Sequence, residues 1–416
     1  MSKSIPYGLL AVAVSSSLLV AQGDKAATGG WSAKPGSGLS YDGGDAFGLK
    51  WANRLQIHWT FANNEDAPDS NNFTVRRART SVAGHVFNRN ITYQLQLDAV
   101  DAGSSGDGSI KQGWAQWNFS KSEDSAIGLR AGQAKTMFGL EATYTSAGLW
   151  FVERSIASRS FADAYSRGAW INGGIMSKSS TPVRFALGAM NTDVARNSGI
   201  EEVGEERSNS DNELSYVLAA NIDPVGDFHD GKQTVESKRQ GDWRTDNNDL
   251  KGTIGVGIAL GNGVDDSGAT AGADVESTSI NLNTAWTVSK ANILGEYFMR
   301  TDDLQGATTD EEEASGFAVS IGYLLDKSGD SSIQWGLGLR YSMVETDAGD
   351  DGGVDYIDAL GSGTEGDLSE ISVVLNAFYH GHACKTQFEY TLQDVEPTGS
   401  SGVTNHILRI GFQLEF

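Results

Sequence analysis

Apolar and polar residues alternate with a period of two along most of the chain. Between residues 47 and 61, Phe, Leu, Trp and Ile occupy most odd positions, whereas Lys50, Arg54 and His58 lie at even ones. Consecutive residues of a strand point to opposite sides of a sheet. An apolar face with aromatic ends, opposite a charged face, is typical of strands that have lipid outside and water inside.

Sixteen such segments predict an all-β protein, a transmembrane antiparallel β-barrel. An even number is expected of a single-chain bacterial barrel, and sixteen strands are enough to enclose an aqueous channel. The predicted strands lie near residues 45–61, 73–86, 90–100, 110–120, 125–134, 169–177, 182–191, 213–222, 251–260, 276–288, 290–300, 315–325, 331–345, 368–380, 383–395 and 404–416.

The lengths of the connectors test this topology independently. If both chain ends lie in the periplasm, connectors after odd-numbered strands are long external loops, and those after even-numbered strands are short turns. The connector 223–250 should be a short turn but is long, so it contains either misassigned strand residues or an additional strand pair. Short turns are predicted at 87–89, 121–124, 178–181, 289, 326–330 and 381–382, and long loops at 62–72, 135–168, 192–212, 301–314 and 346–367.

The two ends of the chain predict export and barrel assembly. Lys3 precedes an apolar run that ends in Ala21-Gln22-Gly23, a small-x-small cleavage site typical of a secretory signal peptide. The last strand alternates up to Phe416, which resembles the signal read by the bacterial barrel-assembly machinery. We therefore expect a signal peptide over 1–23, a periplasmic N-terminal lead-in over 24–44 and a barrel over 45–416 in the bacterial outer membrane, in contact with its lipid.

Composition narrows the function further. The single cysteine rules out an internal disulfide framework, and the net charge of −23 argues against nucleic-acid binding. The acidic loops are either a solvated surface, which divalent cations could bridge, or an external filter that repels anions. Their carboxylates include Glu201, Glu202, Glu205, Glu206, the run Asp310 to Glu313, and Asp347, Asp350, Asp351, Asp355 and Asp358.

On the predicted inward faces, by contrast, cations outnumber carboxylates. The charges and the width of its lining determine what a pore selects. In the second strand we expect Arg77 and Arg79 to face inward, and Arg76 to lie nearer a membrane interface. The other inward cations are Lys50, Arg54, His58, Arg130, Arg184, Arg340, Lys385 and Arg409, and the opposing carboxylates are Asp98, Glu296, Glu370, Glu389 and Glu415.

The loop 135–168 is the candidate pore constriction, and it carries Lys135, Arg154, Arg159 and Arg167. The three arginines either supply cations to an inward-folded loop or pin that loop to the barrel wall through carboxylate pairs. The guanidinium group suits both tasks, because it meets carboxylate and phosphate with two hydrogen bonds.

Catalysis is not indicated. The six histidines are scattered, and His380-Gly-His382 at a predicted turn is more typical of solvated side chains than of a metal site. Cys384 lies alone in a predicted strand, and neither a Gly-x-Ser-x-Gly elbow nor a His-Glu-x-x-His motif occurs. We expect no catalytic residues, no metal and no cofactor.

Several short motifs resemble the phosphate-selective porin O/P family. Phe73-Thr-Val-Arg-Arg-Ala-Arg79 followed by Gly84 is similar to its second strand, and Gly132-Gln-Ala-Lys135, Phe138-Gly-Leu-Glu141, Glu153-Arg154 and Arg167-Gly168 are similar to its third-loop region. Gly338 to Ser342 and Asn376 to Tyr379 resemble late strands of the family. The resemblance implies a sixteen-stranded barrel, usually a homotrimer, with the third loop folded inward and a preference for phosphate or polyphosphate.

Taken together, these features predict a passive porin for small hydrophilic solutes that leans towards anions. Two alternatives remain open. One is a general or cation-selective porin on the same scaffold, which the sign of the reversal potential would reveal. The other is a structural or adhesive barrel, which would not conduct.

Overall fold

The computed structural model describes residues 30–65, 68–100, 109–122, 125–162, 165–175, 181–191, 194, 214–229, 234–236, 240, 249–264, 274–304, 312–326, 332–347 and 365–416. The predicted signal peptide 1–23 lies outside these residues, as do the loop carboxylates Glu201, Glu202, Glu205, Glu206, Asp310, Asp350, Asp351, Asp355 and Asp358.

Sixteen antiparallel strands form a closed barrel, which confirms the predicted fold class. Each strand pairs with its neighbours in sequence, and β18 pairs with β3 to close the ring. The strands are β3 (Phe47–Asn63), β4 (Ser70–Val86), β5 (Asn88–Asp98), β6 (Ser109–Lys121), β7 (Ser125–Lys135), β8 (Tyr165–Ile175), β9 (Val183–Met190), β10 (Ser215–Val225), β11 (Lys251–Val264), β12 (Asp274–Val288), β13 (Ala291–Leu304), β14 (Glu312–Leu324), β15 (Gln334–Thr346), β16 (Gly366–Phe378), β17 (Cys384–Pro397) and β18 (Val403–Glu415).

The two faces of the barrel differ as the alternation predicts. Leu187, Leu218 and Ile258 lie side by side on three neighbouring strands, and all three are exposed on the outside. Inward-facing Asn281 and Ser342 are fully buried. The apolar side chains therefore form the outer surface, and polar side chains line the interior.

Closure satisfies the polar groups of the main chain. A backbone N–H or C=O without a partner is costly in hydrocarbon, and a closed ring of strands leaves no unpaired edge. The pairing of β18 with β3 continues to the last residue, because Phe416 and Asn53 exchange two backbone hydrogen bonds of 2.7 and 3.0 Å.

A hairpin precedes the barrel, where the alternation predicted only a lead-in. Its strands are β1 (Gly30–Lys34) and β2 (Gly38–Asp42), and β2 pairs with residues 48–51 of β3, just beyond the end of β18. Five-residue strands are too short for a clear period-two signal in the sequence. The hairpin extends the wall at the end of the barrel where the chain enters β3.

Most connectors at the end that carries the hairpin are short, and the opposite end has the long connectors 136–164, 191–214 and 347–365. We call the end with the hairpin the turn end, and the opposite end the loop end. One residue joins β4 to β5, two join β12 to β13, and the turn residues Phe87 and Ser289 both adopt positive φ angles. No helix in the described part of the chain is long and apolar enough to cross a membrane.

The long connector at the turn end contains no additional strand in its described residues. Residues 223–225 belong to β10, so part of the expected excess was misassigned strand. Among the other described residues of this connector, His229, Val235 and Gln240 are buried, and Gln240 contacts Gly148 and Trp150 inside the barrel. A connector that folds inward can be long without adding strands.

The outward position of Ile258 allows a test of the barrel. Ile258 lies near the middle of β11, whereas Leu250 lies at its end, and both side chains are exposed. An arginine facing lipid at mid-bilayer costs about 2–4 kcal/mol, and near the interface about 0–1 kcal/mol. We expect Ile258→Arg to lower the free energy of unfolding in lipid vesicles by the larger amount and Leu250→Arg by the smaller. Equal costs for the two variants would contradict the assigned lipid face.

Candidate functional site: a loop and an arginine cluster inside the barrel

The connector between β7 and β8 lies inside the barrel, and we call its described residues 136–162 the third loop. It contains helix α1 (Leu140–Thr143), a 3-10 turn at Ser146–Gly148 and helix α2 (Ile156–Phe161). Leu140, Phe151 and Phe161 are at most 2% exposed. Gly139 has a φ of +74°, and a Cβ there would lie 2.7 Å from the Ala162 Cβ, so a glycine is needed where the loop turns into α1.

Carboxylates of the barrel wall hold the main chain of the third loop. Glu296 on β13 accepts hydrogen bonds from the backbone N–H groups of Leu140 and Glu141, at 2.6 and 3.0 Å. Glu389 on β17 accepts one from Val152 at 2.8 Å. Backbone N–H groups that are buried away from water need a hydrogen-bond partner, and these carboxyl oxygens supply it. Two distant strands thus fix the loop through its backbone.

Buried cations hold carbonyl groups of the same loop. The Lys135 ammonium donates to the carbonyls of Ala142 and Tyr144, the latter at 2.8 Å. The Arg154 guanidinium also donates to the Tyr144 carbonyl at 2.8 Å. From the wall, Lys385 donates to the Leu149 carbonyl at 2.6 Å. These three sequence-predicted cations are buried and contact the loop backbone, and the contacts of Arg154 with Glu141 and Tyr144 lie within the third loop itself.

The carboxylate of Glu153 lies between two arginines of β4. Its oxygens are 2.7 Å from Arg76 Nε and 2.9 Å from an Arg77 guanidinium nitrogen. Arg340 on β15 donates to the Glu153 carbonyl at 2.8 Å, and its guanidinium stacks over the Phe151 ring. Glu153 thereby connects the third loop to β4 through its carboxylate and to β15 through its carbonyl.

A β-bulge explains why both Arg76 and Arg77 face inward. Gln56 pairs with Arg77 and Ile57 pairs with Val75, so Arg76 is the extra residue. In a bulge, two residues of one strand lie opposite one residue of the next, and a side chain is redirected.

Strict alternation placed Arg76 near a membrane interface, and the structure instead places it against Glu153. The sequence itself shows this break, because the outward-facing residues change from odd positions up to Val75 to even positions from Ala78 onwards.

Other arginines surround this point, each near a carboxylate of the wall. Their side chains keep between 10 and 24% of their surface exposed, so they contact solvent inside the barrel. The pairs are Arg54 with Glu415 at 3.1 Å, Arg79 with Asp98 at 2.6 Å, Arg159 with Glu370 at 3.3 Å and Arg409 with Glu389 at 3.1 Å.

We call these residues the arginine cluster: Arg54, Arg76, Arg77, Arg79, Arg159, Arg340 and Arg409. The carboxylates that contact it are Asp98, Glu153, Glu370, Glu389 and Glu415. The guanidinium groups outnumber the carboxylates, and Arg340 has no carboxylate salt bridge among the residues that the structure describes. The described cluster therefore has an excess of positive charge.

Besides Lys135, Arg154 and Lys385, four sequence-predicted cations lie outside the arginine cluster. Arg130 pairs with Glu236 at 3.0 Å and stacks over Trp114. Arg184 is fully buried between Asp223 and Asp227, at 2.6 Å from each.

The other two cations are exposed. Lys50 lies beside the N-terminal hairpin, where it pairs in register with Ser40. Arg167 is exposed on the outward parity of β8, where it donates to Gln133.

The histidine and cysteine positions form no metal or catalytic arrangement in the described chain. His382 is buried and lies 3.1 Å from the Gln240 carbonyl and 3.3 Å from the Lys385 ammonium. The described residues contain no group of three or more His, Cys, Asp or Glu side chains that could hold a metal ion. His382 therefore contributes packing and hydrogen bonds.

The position of Glu153 predicts a pH dependence of stability. Burial by itself would raise the pKa of the Glu153 carboxyl, but the guanidinium groups of Arg77 and Arg76 hold that pKa well below its usual value of 4.5. A carboxyl whose pKa is lowered on folding adds stability above its unfolded pKa, and this stability disappears as the pH falls through the folded pKa. Glu153→Gln should lower the free energy of unfolding by about 3–5 kcal/mol at pH 7.

The difference in unfolding free energy between the wild type and Glu153→Gln should stay constant from pH 7 to about pH 5.5 and shrink below pH 4.5. Urea unfolding in vesicles at several pH values measures this difference in free energy. The contributions of the other carboxyl groups are the same in both proteins and cancel in the difference. A difference that already disappears between pH 7 and 6 would contradict the low pKa.

Comparisons with known proteins agree with this architecture. The outer-membrane channel DcaP of Acinetobacter baumannii matches with a TM-score of 0.56 at 12% identity, over 89% of this chain and 98% of that one. The anion-selective porin from Comamonas acidovorans matches with a TM-score of 0.55 at 10% identity, over 89% and 100%. The trimer form of the Vibrio cholerae outer-membrane protein OmpT matches with a TM-score of 0.52 at 12% identity, over 89% and 100%.

A search of curated protein sequences finds no significant match. The family model for phosphate-selective porins O and P matches residues 52–416, which is nearly the whole chain. The chain therefore belongs to the phosphate-selective porin O and P family and is an outer-membrane porin, a channel rather than an enzyme.

Proposed function

We propose that this porin conducts small anions by passive diffusion, with a preference for phosphate or polyphosphate, and that the arginine cluster is its selectivity site. The observation that carries the proposal is the excess of arginine over carboxylate where the third loop meets β3, β4 and β18. Fixed positive charge in a narrow passage lowers the free energy of an anion relative to a cation.

Arginine suits phosphate in particular. Its planar guanidinium group donates two parallel hydrogen bonds to the oxygens of one phosphate, which a lysine ammonium cannot do. The partly exposed guanidinium groups of Arg76, Arg159 and Arg409 lie near carboxylates at 2.7 to 3.3 Å. A guanidinium group carries five N–H donors, so a passing anion can accept hydrogen bonds from it while the carboxylate stays in place.

The acidic surface does not oppose this proposal. Fixed charges in water are screened over about 8–10 Å at physiological ionic strength. The net charge of −23 includes many carboxylates in the long connectors of the loop end. The arginines inside the barrel act on an ion at contact distance, where screening is weak. We therefore expect the lining to determine selectivity.

A second candidate function has one observation in its favour. Carboxylates of Glu345, Asp347, Glu365, Asp367 and Glu396 surround a pocket of about 540 Å³ at the loop ends of β15, β16 and β17. Such a rim attracts cations at low ionic strength. It favours a general or weakly cation-selective porin if the passage through the arginine cluster is wide.

We also propose that the native protein is a homotrimer in outer-membrane lipid. The porin fold and the trimer form of the structurally similar OmpT support this assembly. The apolar run behind Lys3 supports a cleaved signal peptide over 1–23, and the alternation that ends in Phe416 supports recognition by the barrel-assembly machinery. Residues 24–44 would then lie in the periplasm before the barrel.

Phosphate block of chloride current tests the selectivity site. In planar bilayers, phosphate should reduce the chloride conductance of the wild type. The triple variant Arg76→Gln, Arg77→Gln and Glu153→Gln removes two cations together with their shared carboxylate, so no unpaired charge remains. It should need at least about tenfold more phosphate for half block, because a charged hydrogen bond contributes about 1.5–3 kcal/mol.

Arg167→Gln is the matched control, because it removes an outward arginine of the same chain. The control should leave the block unchanged. Absence of phosphate block in the wild type would contradict the phosphate preference. An equal loss of block in the control and the triple variant would contradict the assignment to the arginine cluster.

A further inference from the structure

Described residues 226–229, 234–236 and 240 of the connector that joins β10 to β11 enter the barrel from the turn end, and we call them the luminal connector. The third loop enters from the loop end, so two connectors meet inside one barrel. The described residues 226–229, 234–236 and 240 of the luminal connector include several that are buried, although a turn at this position would normally lie in water. Their contacts show what the segment binds.

Two apolar residues of the luminal connector pack against the third loop. Phe228 packs against a buried cluster that combines Leu140, Tyr144 and Leu149 of the third loop with Ala285 and Leu294 of the wall. Val235 is 2% exposed and belongs to the cluster that includes Met137 and Phe138. Val235 lies beside a cavity of about 10 Å³ that Met137, Leu140 and Thr143 of the third loop also line. Val235 therefore lies against the third loop.

Gln240 makes the polar part of this contact. Its backbone N–H donates to the Gly148 carbonyl at 2.7 Å, and its side-chain carbonyl accepts from the Trp150 N–H at 2.8 Å. Its side-chain amide nitrogen donates to Glu141 at 3.2 Å. Gln240 is 3% exposed, and its own carbonyl lies 3.1 Å from His382 Nε2. Gln240 thus contacts three points of the third loop, two through its side chain and one through its backbone, and joins them to His382.

Ion pairs secure the luminal connector to the barrel. Glu236 pairs with Arg130 on β7 at 3.0 Å. At the start of the connector, Arg184 bridges Asp223 and Asp227, and the Asp223 carboxylate also lies 3.2 Å from His229. These contacts neutralise Arg130 and Arg184, two inward arginines that lie away from the arginine cluster.

We propose that the luminal connector is a latch that fixes the third loop from the turn end, with Gln240 as its positioning residue. The latch fills the lumen on the side of β7, β10 and β11, so that solutes pass on the side of the arginine cluster. It also keeps Glu153 in register with Arg76 and Arg77, because Trp150, Glu153 and the bonds of Gln240 belong to one continuous segment of the loop. This inference rests on the proposed conduction of anions.

Single-channel recording of Gln240 variants in the full-length protein tests the latch. Gln240→Met keeps the volume and the backbone hydrogen bonds but removes both side-chain hydrogen bonds to the loop. Gln240→Ala also removes packing. We expect both variants to increase the open-channel current noise severalfold and to move the reversal potential towards zero, because a looser third loop no longer holds the cluster in place.

Gln133→Ala is the matched control, since Gln133 lies on the outward side of β7 beside Arg167. It should leave noise and reversal potential unchanged. Heat-dependent migration in detergent gels confirms that each barrel is folded. A folded Gln240→Met protein with wild-type noise and reversal potential would overturn the latch alone. A wild type without any conductance would instead contradict the proposed function.

Discussion

The need to pair every backbone polar group in hydrocarbon determines the rest of this structure. Sixteen strands meet that need only as a ring, so β18 must return to β3, and the last residue of the chain hydrogen-bonds with Asn53. A ring with apolar residues outside has polar residues inside, and this interior is wide enough to admit connectors. The third loop and the luminal connector occupy part of it, and their own backbone groups then need partners away from bulk water.

Wall carboxylates solve this second problem, and the same carboxylates adjust the charge of the passage. Glu389 accepts a hydrogen bond from the Val152 N–H and also pairs with Arg409. Glu370 pairs with Arg159 and accepts from Gln393. Removing one member of such a buried group leaves an uncompensated charge, which costs several kcal/mol. Loop position and selectivity are therefore coupled through shared residues.

Much of the fold follows from the sequence, because each barrel strand obeys a simple two-residue period. All sixteen predicted strands correspond to barrel strands, and the inward positions of Gln56, Arg77 and Arg340 follow from parity. Exceptions occur where the period is locally broken or too short. The bulge at Arg76 breaks the register of β4, and the hairpin strands Gly30–Lys34 and Gly38–Asp42 are short. Neither the inward path of the luminal connector nor its bond to Gly148 leaves a periodic signal.

The residues that the inward-facing lysines and arginines contact were harder to predict than the direction of their side chains, because these contacts join distant segments of the chain. Lys385 and Arg184 point inward as parity indicates, yet both are fully buried and bind the loop backbone or aspartates. Only a structure distinguishes such residues from the partly exposed Arg159 and Arg409.

The reversal potential of the wild-type protein across a potassium chloride gradient in a planar bilayer tests the central claim most directly. An excess of arginine at the constriction predicts the sign of an anion-selective channel, retained at physiological ionic strength where the external carboxylates are screened. The sign of a cation-selective channel under the same conditions would contradict the assignment of the arginine cluster as the selectivity site.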